Sequence, residues 1–221
     1  MVPLQKVEIA IFGLDNAGKT CVLNALTGNF DFETVPTVGL GQKEFMYEET
    51  QVSVYDLGGS SNFRNVWTRF YAALWGFVYV ADSADADRLE ESKEVLDKMK
   101  THAMMTGKPF VLIANKQDLD GAASGASVRE SLGVGPEIKV FEAAATRLVD
   151  GAPDKAISDA VEALLKEIVN KAEYLRSKVA EDTEKQDQID KKEREEKRKR
   201  IEERMRESRT DTEAIQGTDT V

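Results

Sequence analysis

Short runs of apolar residues recur along the chain, and their length and composition are typical of buried strands. They are rich in Val, Ile, Phe and Tyr, which suit strands that are covered on both faces. The five runs are VEIAIF (7–12), VSVYDL (52–57), FVYVAD (77–82), FVLIAN (110–115) and IKVFEA (138–143). A sixth segment, QKEFMYEE (42–49), lies so close to the second run that the pair is predicted to form an antiparallel hairpin.

Helical patterns lie between most of these runs. They cover 18–28, about 63–74, about 87–101 and about 153–180. Strands that alternate with helices indicate a parallel, doubly wound sheet, because each crossover between parallel strands needs a helix. The predicted fold class is therefore α/β, with a doubly wound and mostly parallel sheet and an added long C-terminal helix.

The charged segment 181–209 differs from everything before it. It lacks glycine and proline and is dominated by helix formers. Its acid-before-base pairs at i,i+4 spacing each add roughly 0.2–0.5 kcal/mol to a helix. Three interpretations stay open, namely a solvated helix, a helix that docks a partner, or a basic stretch at 197–200 that meets a membrane or nucleic acid. The predicted organisation is a globular domain over 1–170, a helical extension over 171–209 and a disordered tail over 210–221.

Composition limits the classes of function. A chain of 221 residues suits one domain, and a net charge of −10 argues against a nucleic-acid binder, which needs a basic footprint. The lone cysteine, Cys21, excludes an intramolecular disulfide and fits a reducing compartment. The N-terminus has no signal-peptide pattern and has Val2 where N-myristoylation needs glycine. We expect a cytoplasmic or other intracellular protein with no membrane attachment encoded in this chain.

The segment GLDNAGKT (13–20) follows a predicted strand, opens a helix and fits the phosphate-loop pattern G-x-x-x-x-G-K-[ST]. Its glycines let backbone N–H groups face phosphate oxygens, and the helix N-terminus adds partial positive charge. Lys19 is expected to reach the β- and γ-phosphates, and the Thr20 hydroxyl is expected to ligate Mg²⁺. The nucleotide-binding residues predicted here are Gly13, Asp15, Asn16, Ala17, Gly18, Lys19, Thr20 and Cys21.

The segment NKQD (115–118) comes directly after the fourth apolar run and predicts specificity for guanine. A buried Asp118 carboxylate accepts two hydrogen bonds from N1 and the 2-amino group of guanine. Adenine lacks this donor pair, so it would leave the carboxylate unpaired at a cost of about 1–3 kcal/mol. Lys116 is expected to cover the base plane, and Asn115 is expected to tie this loop to the phosphate loop.

The segment EAAAT (142–146) is predicted to meet the same base. A small residue after the last strand lets a backbone N–H approach the guanine oxygen. Ala145 is the preferred donor and Ala144 is the alternative. The predicted cofactors are therefore GTP or GDP together with Mg²⁺.

The segment YDLGG (55–59) is predicted to sense the terminal phosphate. The Asp56 carboxylate ends a strand and is expected to hold Mg²⁺ through a bound water. Gly59 allows a backbone N–H to approach the γ-phosphate. Thr37, in VPTVG, is the predicted second hydroxyl ligand of Mg²⁺, arriving from a loop.

Together these segments resemble the ADP-ribosylation factor family of small GTPases. The resemblance covers roughly residues 6–170 and rests on GLDNAGKT, PTVG, DLGG with Arg64 and Trp67 after it, VYVADSAD and NKQDL. It implies a six-stranded phosphate-loop GTPase sheet and two nucleotide-sensing switch loops, around 32–42 and 56–70. It also implies that the hairpin between these loops shifts register on nucleotide exchange.

Three features differ from the founding members of this family and resemble its ciliary branch. They are the missing N-terminal glycine, Ser60 where founding members have glutamine, and the long charged helix. The branch implies a location in cilia, effector proteins as partners, and an exchange-factor role toward another small GTPase, ADP-ribosylation factor-like protein 3. The N-terminal palmitoylated cysteines and the proline-rich tail of that branch are not found in this sequence.

Ser60 bears on catalysis, because hydrolysis needs a water held in line with the γ-phosphate. A serine at the glutamine position is too short to hold that water, so weak or absent hydrolysis is predicted. No arginine in the phosphate or switch segments is predicted to serve as an intrinsic finger. For the switch aromatics, core packing and an exposed partner patch both stay open. The partner-binding candidates are Phe63, Arg64, Trp67, Arg69 and Tyr71.

Three hypotheses of function follow. The first is a GTP-loaded switch that recognises partners through its two loops and its charged helix. The second is an active GTPase whose missing groups come from a partner, since an arginine supplied in trans is worth about 10³–10⁵ in rate. The third is the exchange factor that the family resemblance implies.

Overall fold

The computed structural model describes residues 4–29, 34, 37 and 39–216, and describes side chains in the last helix as far as residue 202. Several predictions made from the sequence therefore fall outside the described residues. These are the expectation for Val2, the end of the predicted tail at 217–221 and most of the first switch loop between 32 and 38.

A six-stranded sheet organises the fold, in the spatial order β2-β3-β1-β4-β5-β6. Strand β2 is antiparallel to β3, and the other neighbours are parallel. The predicted hairpin and the predicted α/β fold class are thereby confirmed. The strands are β1 (Lys6–Phe12), β2 (Leu40–Tyr47), β3 (Thr50–Leu57), β4 (Gly76–Asp82), β5 (Phe110–Asn115) and β6 (Val140–Glu142).

Helices connect and cover these strands. They are α1 (Lys19–Leu26), α2 (Ser61–Arg64), α3 (Thr68–Tyr71), α4 (Leu89–Thr101), α5 (Gly125–Ser131), α6 (Lys155–Asn170) and α7 (Ala172–Gln216). A 3₁₀ turn at Ala86–Arg88 precedes α4, and a small hairpin of β7 (Leu148–Val149) and β8 (Ala152–Pro153) precedes α6.

Two predicted helices are divided in the structure. The pattern at 63–74 predicted one helix, but α2 and α3 occupy this segment with a turn between them. The pattern at 153–180 also predicted one helix, but α6 ends at Asn170, and the next residue, Lys171, lies outside the helical region with φ of −103° and ψ of 15°. The helix α5 and the small β7–β8 hairpin were not predicted from the sequence.

Two apolar clusters cover the two faces of the sheet. One includes Val54, Val80 and Leu164, and the other includes Phe12 and Leu96. Because β1, β3, β4 and β5 are parallel, their carboxyl ends meet at one edge of the sheet. In doubly wound sheets ligands bind at this edge. The predicted nucleotide segments at the ends of β1, β3 and β5 lie there, as does EAAAT at the end of β6, which is parallel to β5.

The chain divides into two compact units, residues 1–180 and 181–221. In the first unit, the start of α7 is fixed, because Leu175 is fully buried and Lys178 Nζ donates to Ala103 O at 3.0 Å. In the second unit, the helix is largely exposed and carries ion pairs such as Arg198 with Glu202. The helix continues through 210–216, where disorder was predicted, and the predicted division into domains stays a prediction.

The helices were also compared with the length and hydropathy that a membrane span requires. Within the described part of the chain, no helix combines enough length and apolar character to cross a membrane.

Candidate nucleotide-binding site

A cavity of about 550 Å³ opens at the carboxyl edge of the sheet. It brings together segments that lie far apart in the chain, from Asp15 to Thr146. The predicted residues that line it are Asp15, Asn16, Gly18, Lys19, Thr20, Cys21, Thr37, Gly59, Ser60, Phe63, Asn115, Lys116, Asp118 and Ala145. Thr34, Leu119 and Thr146 also line it, although the sequence did not single them out.

The phosphate loop has the backbone that its glycines were predicted to allow. Gly13 and Gly18 have φ values of 145° and 88°. A Cβ at Gly13 would lie 2.2 Å from Val80 O, and one at Gly18 would lie 2.3 Å from Asn115 Nδ2. Any side chain at these two positions would therefore displace the neighbouring strands or the loop. Asn16 also has a left-handed backbone, with φ of 61°.

Lys19 is a buried cation at the phosphate end of the cavity. Its side chain is 6% exposed and its Nζ donates to Leu14 O at 2.8 Å. Burial lowers the pKa of Lys19 to about 8, because charging an ammonium away from water is costly. The site thus holds a cation that an anion in the cavity would stabilise.

The three predicted magnesium residues converge. Thr20 Oγ1 lies 3.0 Å from Thr37 Oγ1 and donates to Asp56 Oδ2 at 2.6 Å. Thr37 Oγ1 donates to the same oxygen at 3.3 Å. Burial raises the pKa of Asp56, whereas the hydrogen bond from Thr20 opposes that rise.

One atom, Asp56 Oδ1, indicates whether Thr20, Thr37 and Asp56 suit a magnesium ion. Asp56 is 2% exposed, and its Oδ1 is buried with no hydrogen-bond partner among the described residues. A buried carboxylate oxygen without a partner is costly unless a cation or a water satisfies it. Hydroxyl and carboxylate oxygens are the hard ligands that Mg²⁺ prefers, so these residues fit the ion.

The base end of the cavity is held by Asn115. Its Nδ2 donates to Ala17 O in the phosphate loop at 2.8 Å, and its Oδ1 accepts from Ala145 N at 3.1 Å. Lys116 has a left-handed backbone, with φ of 67°, and its Nζ lies 2.6 Å from Asp82 Oδ2. Asn115 therefore links the two nucleotide segments, as the sequence predicted.

Two expectations at the base end need correction. Asp118 was expected to be buried, but it is exposed on the cavity wall. Ala144 does not line the cavity, and its N–H donates to Asp154 Oδ2 at 2.9 Å. Ala145 lines the cavity and stays the candidate, although its N–H donates to Asn115 Oδ1 in this structure. Gly13 and Ala17 also lie behind the cavity surface, where they shape the loop.

Ser60 lines the cavity and begins α2. Its backbone is extended, with φ of −68° and ψ of 153°, and the side chain is half-buried. Its neighbour Gly59 lies against the phosphate loop, since an added Cβ would fall 2.4 Å from Lys19 Nζ and 2.5 Å from Asp15 N. The position after the second glycine therefore stands beside the phosphate end.

Two partner-binding candidates prove to be core residues. Trp67 is 2% exposed, packs on Phe12 with ring centroids 5.0 Å apart, and donates from Nε1 to Gly58 O at 2.9 Å. Tyr71 is 4% exposed and packs on the same Phe12 ring. Neither side chain is available to a partner in this structure, because both are buried in the apolar core. Arg69 is exposed and stays a candidate.

Arg64 was expected to serve either partner contacts or packing, and its contacts in the structure lie within the molecule. Its Nε donates to Gly59 O at 2.8 Å and its Nη2 donates to Glu91 Oε1 at 2.7 Å. Sequence analysis missed Glu91 and also Arg88, which contacts the phosphate loop from 73 residues away. No local motif marks either residue, so only the folded geometry reveals them.

The sheet order, the phosphate loop and the hydroxyl and carboxylate set define a phosphate-loop GTPase fold. The family comparison is more specific. Residues 2–147 match the model of the ADP-ribosylation factor family, and the chain belongs to that family. The family resemblance predicted from the sequence is confirmed.

Individual relatives agree with this assignment. The chain is 42% identical over 130 residues to ADP-ribosylation factor-like protein 13B of Chlamydomonas reinhardtii, a match that covers 59% of this chain. It is 35% identical over 147 residues to ADP-ribosylation factor-like protein 1 of Drosophila melanogaster, covering 65% of this chain and 82% of that protein. The chain spans only 25% of the length of the algal protein, whose branch is the one that the sequence departures resembled.

A solved structure shares the fold. It is the Arl6 BBS3 small GTPase of Trypanosoma brucei with the bound nucleotide analogue GppNp. The TM-score is 0.64 at 25% identity, and the match covers 75% of this chain and 99% of that one. The roles assigned above to individual site residues stay predictions.

Proposed function

We propose that this chain is a GTP-binding switch with weak or absent intrinsic hydrolysis. In its GTP form it engages partners through the switch loops and the C-terminal helix. The observation that carries the proposal is the convergence of Thr20, Thr37 and Asp56, which come from a helix, a loop and a strand.

This convergence is what a nucleotide-dependent switch requires. Thr20 belongs to the phosphate loop, whereas Thr37 belongs to the first switch loop, so their contact depends on where that loop lies. Bound Mg²⁺ would supply positive charge to the phosphates and would be held by the two hydroxyls directly and by Asp56 through water. A γ-phosphate favours one loop position by contacts that a diphosphate cannot make, which is the basis of switching.

The geometry around Ser60 supports slow hydrolysis. Ser60 lines the cavity, but its hydroxyl projects only one carbon beyond the backbone, so an in-line water lies beyond its reach. Arg64 is held by Glu91, and Arg88 contacts Asp15 and Glu91. In the described part of the chain, no arginine lines the cavity. If hydrolysis is needed, a partner supplying groups in trans is therefore the second candidate.

The decisive experiment is single-turnover hydrolysis of preloaded GTP with Mg²⁺, wild type beside Ser60→Gln. We expect the wild type to stay GTP-bound for hours and Ser60→Gln to hydrolyse faster. Ser61→Gln is the matched control, since it places the same side chain one residue along on an exposed position. Fast turnover by the wild type, or equal rates for Ser60→Gln and Ser61→Gln, would contradict the account of Ser60.

The similarity to ADP-ribosylation factor-like protein 13B supports a finer proposal. In it, the GTP form acts in cilia as an exchange factor for ADP-ribosylation factor-like protein 3. Mixing the GTP-loaded chain with that protein, preloaded with fluorescent GDP, should accelerate GDP release. The GDP-loaded chain is the control, and unchanged release at saturating GTP-loaded chain would exclude this activity.

A further inference from the structure

The phosphate loop contains a carboxylate, Asp15, that lies close to two arginines from other parts of the fold, Arg64 and Arg88. Arg88 donates from Nη2 to Asp15 Oδ1 at 2.9 Å and from Nη1 to the backbone oxygen of Asp15 at 3.1 Å. Arg64 Nη2 lies 3.6 Å from the same carboxylate oxygen. Glu91 binds both arginines, at 2.7 Å from Arg64 and 2.9 Å from Arg88. The four side chains therefore form a quartet with two positive and two negative charges.

Asp15 belongs to the phosphate end of the cavity. It lines the cavity beside Lys19, Gly59 and Ser60. A Cβ on Gly59 would meet both Asp15 N and Lys19 Nζ within 2.5 Å, so these groups converge on one point. Negative charge on Asp15 also acts on the Lys19 ammonium, because it opposes the lowering of the lysine pKa by burial. Asp15 is thus close enough to act on a phosphate that Lys19 holds.

A carboxylate at this point is unfavourable for binding an anion. Like charges repel, and water around the half-exposed Asp15 side chain reduces this repulsion without removing it. A nucleoside triphosphate brings one more negative group to this end than a diphosphate does. An uncompensated Asp15 would therefore discriminate against the triphosphate, which is the opposite of what the proposed switch needs.

We propose that Arg88 is a positioning and specificity-determining residue, which neutralises Asp15 and fixes the phosphate loop so that the site accepts a nucleoside triphosphate. The inference rests on the proposed GTP-binding function and adds a residue outside every nucleotide motif.

Arg88 is better placed for this role than Arg64. It makes two hydrogen bonds to Asp15, one to the side chain and one to the backbone, whereas Arg64 stays beyond hydrogen-bond distance. The Arg88 guanidinium is also the main cause that holds the pKa of the Asp15 carboxyl below its usual value. Arg64 instead bonds the backbone of Gly59, so its main attachment is to the second switch loop.

The test is a double-mutant comparison with fluorescent GppNp and GDP as the probes. We expect Arg88→Gln to lower the affinity for GppNp roughly tenfold, because it leaves Asp15 facing the added phosphate. The affinity for GDP should change much less. Asp15→Asn combined with Arg88→Gln should restore most of the GppNp affinity, because no carboxylate then remains to neutralise. Asp15→Asn alone should keep or raise the preference for GppNp.

Two further variants separate charge from structure. Arg88→Lys keeps the cation and should retain most of the GppNp preference, whereas Arg176→Gln removes an equal charge from an exposed position on α7 and should change neither affinity. The proposal is overturned if Arg88→Gln lowers the affinities for GppNp and GDP by the same factor, or if the double variant binds GppNp as weakly as Arg88→Gln. If Arg88→Gln does not fold, a lost GppNp preference in Asp15→Asn would overturn it. Wild type that binds neither probe would reject the proposed function itself.

Discussion

At the phosphate end of the cavity, charged side chains from several elements balance one another, whereas at the base end neutral hydrogen bonds of Asn115 join the loops beside a single ion pair, Lys116 with Asp82. Lys19, Asp15 and Asp56 occupy the first end, and each has a shifted pKa that reports burial or a neighbouring charge. At the second end, Asn115 bridges two loops through amide and backbone groups, and Asp118 is exposed.

This difference indicates how the two ends should respond to change. Lys19 and Asp56 are buried at the phosphate end and Asp15 is ion-paired, so a substitution there should affect how strongly each phosphate is held. The base end is joined by Asn115 and carries one exposed carboxylate, Asp118, so a substitution of Asp118 should change which base is held. Selectivity for phosphate number and selectivity for the base should therefore be separable by mutation.

The largest effect is expected for Lys19→Met. Loss of this buried cation should lower the affinities for GTP and GDP by roughly 10²–10³-fold, because the phosphates then lose a desolvated partner. Titration with fluorescent nucleotides measures both affinities. Lys166→Met makes the same substitution on an exposed part of α6 and should have no effect. Retention of wild-type affinity by Lys19→Met would show that the phosphate end does not depend on this charge.

A smaller and different effect is expected for Asp118→Asn. The affinities for GTP and GDP should fall by the same factor, roughly 10–100-fold, because the guanine donors lose a carboxylate acceptor. Xanthine nucleotides should bind relatively better, since the asparagine amide can donate to their 2-oxo group. Asp120→Asn, at an exposed position two residues on, is the matched control. A changed ratio of GTP to GDP affinity would contradict the separation of the two ends.

The smallest predicted effect is a pH dependence at the phosphate end. In the free protein the pKa of Lys19 is about 8, and bound phosphate should raise it toward the usual lysine value. Nucleotide affinity should therefore fall as pH rises, by about tenfold between pH 7 and pH 9, because the free protein loses the proton that the complex keeps. Affinities measured across this range test the prediction. Lys19→Arg stays charged and should lose this slope, and a flat wild-type profile would exclude the shift.

The phosphate loop and the sheet were the parts of the molecule most open to prediction. Glycine, lysine and threonine at fixed spacing after a strand leave few alternatives, and buried strands are recognisable by their apolar runs. Asn115 was also assigned to the correct contact, because its segment follows a parallel strand at the same sheet edge. Each of these signals lies within a few neighbouring residues.

The features that escaped prediction depend on distant contacts or weak local signals. Helix α5 begins with Gly125 and is short, although the Ser124 hydroxyl accepts from Ser127 N as a helix cap, a signal that was available. The break at Lys171 has no glycine or proline to announce it. Arg88 acts on a residue 73 positions away, and no periodicity or motif encodes such a contact.

The left-handed backbones of Asn16 and Lys116 have a consequence for the energy of the fold. Both residues belong to the nucleotide segments, yet neither is glycine. The conformation costs Lys116 about 1–2 kcal/mol and Asn16 less, because a short polar side chain tolerates it. The apo protein therefore gives up folding free energy at the place where its ligand is expected to bind. Glycine at either position would relieve this strain but would remove a side chain that lines the cavity.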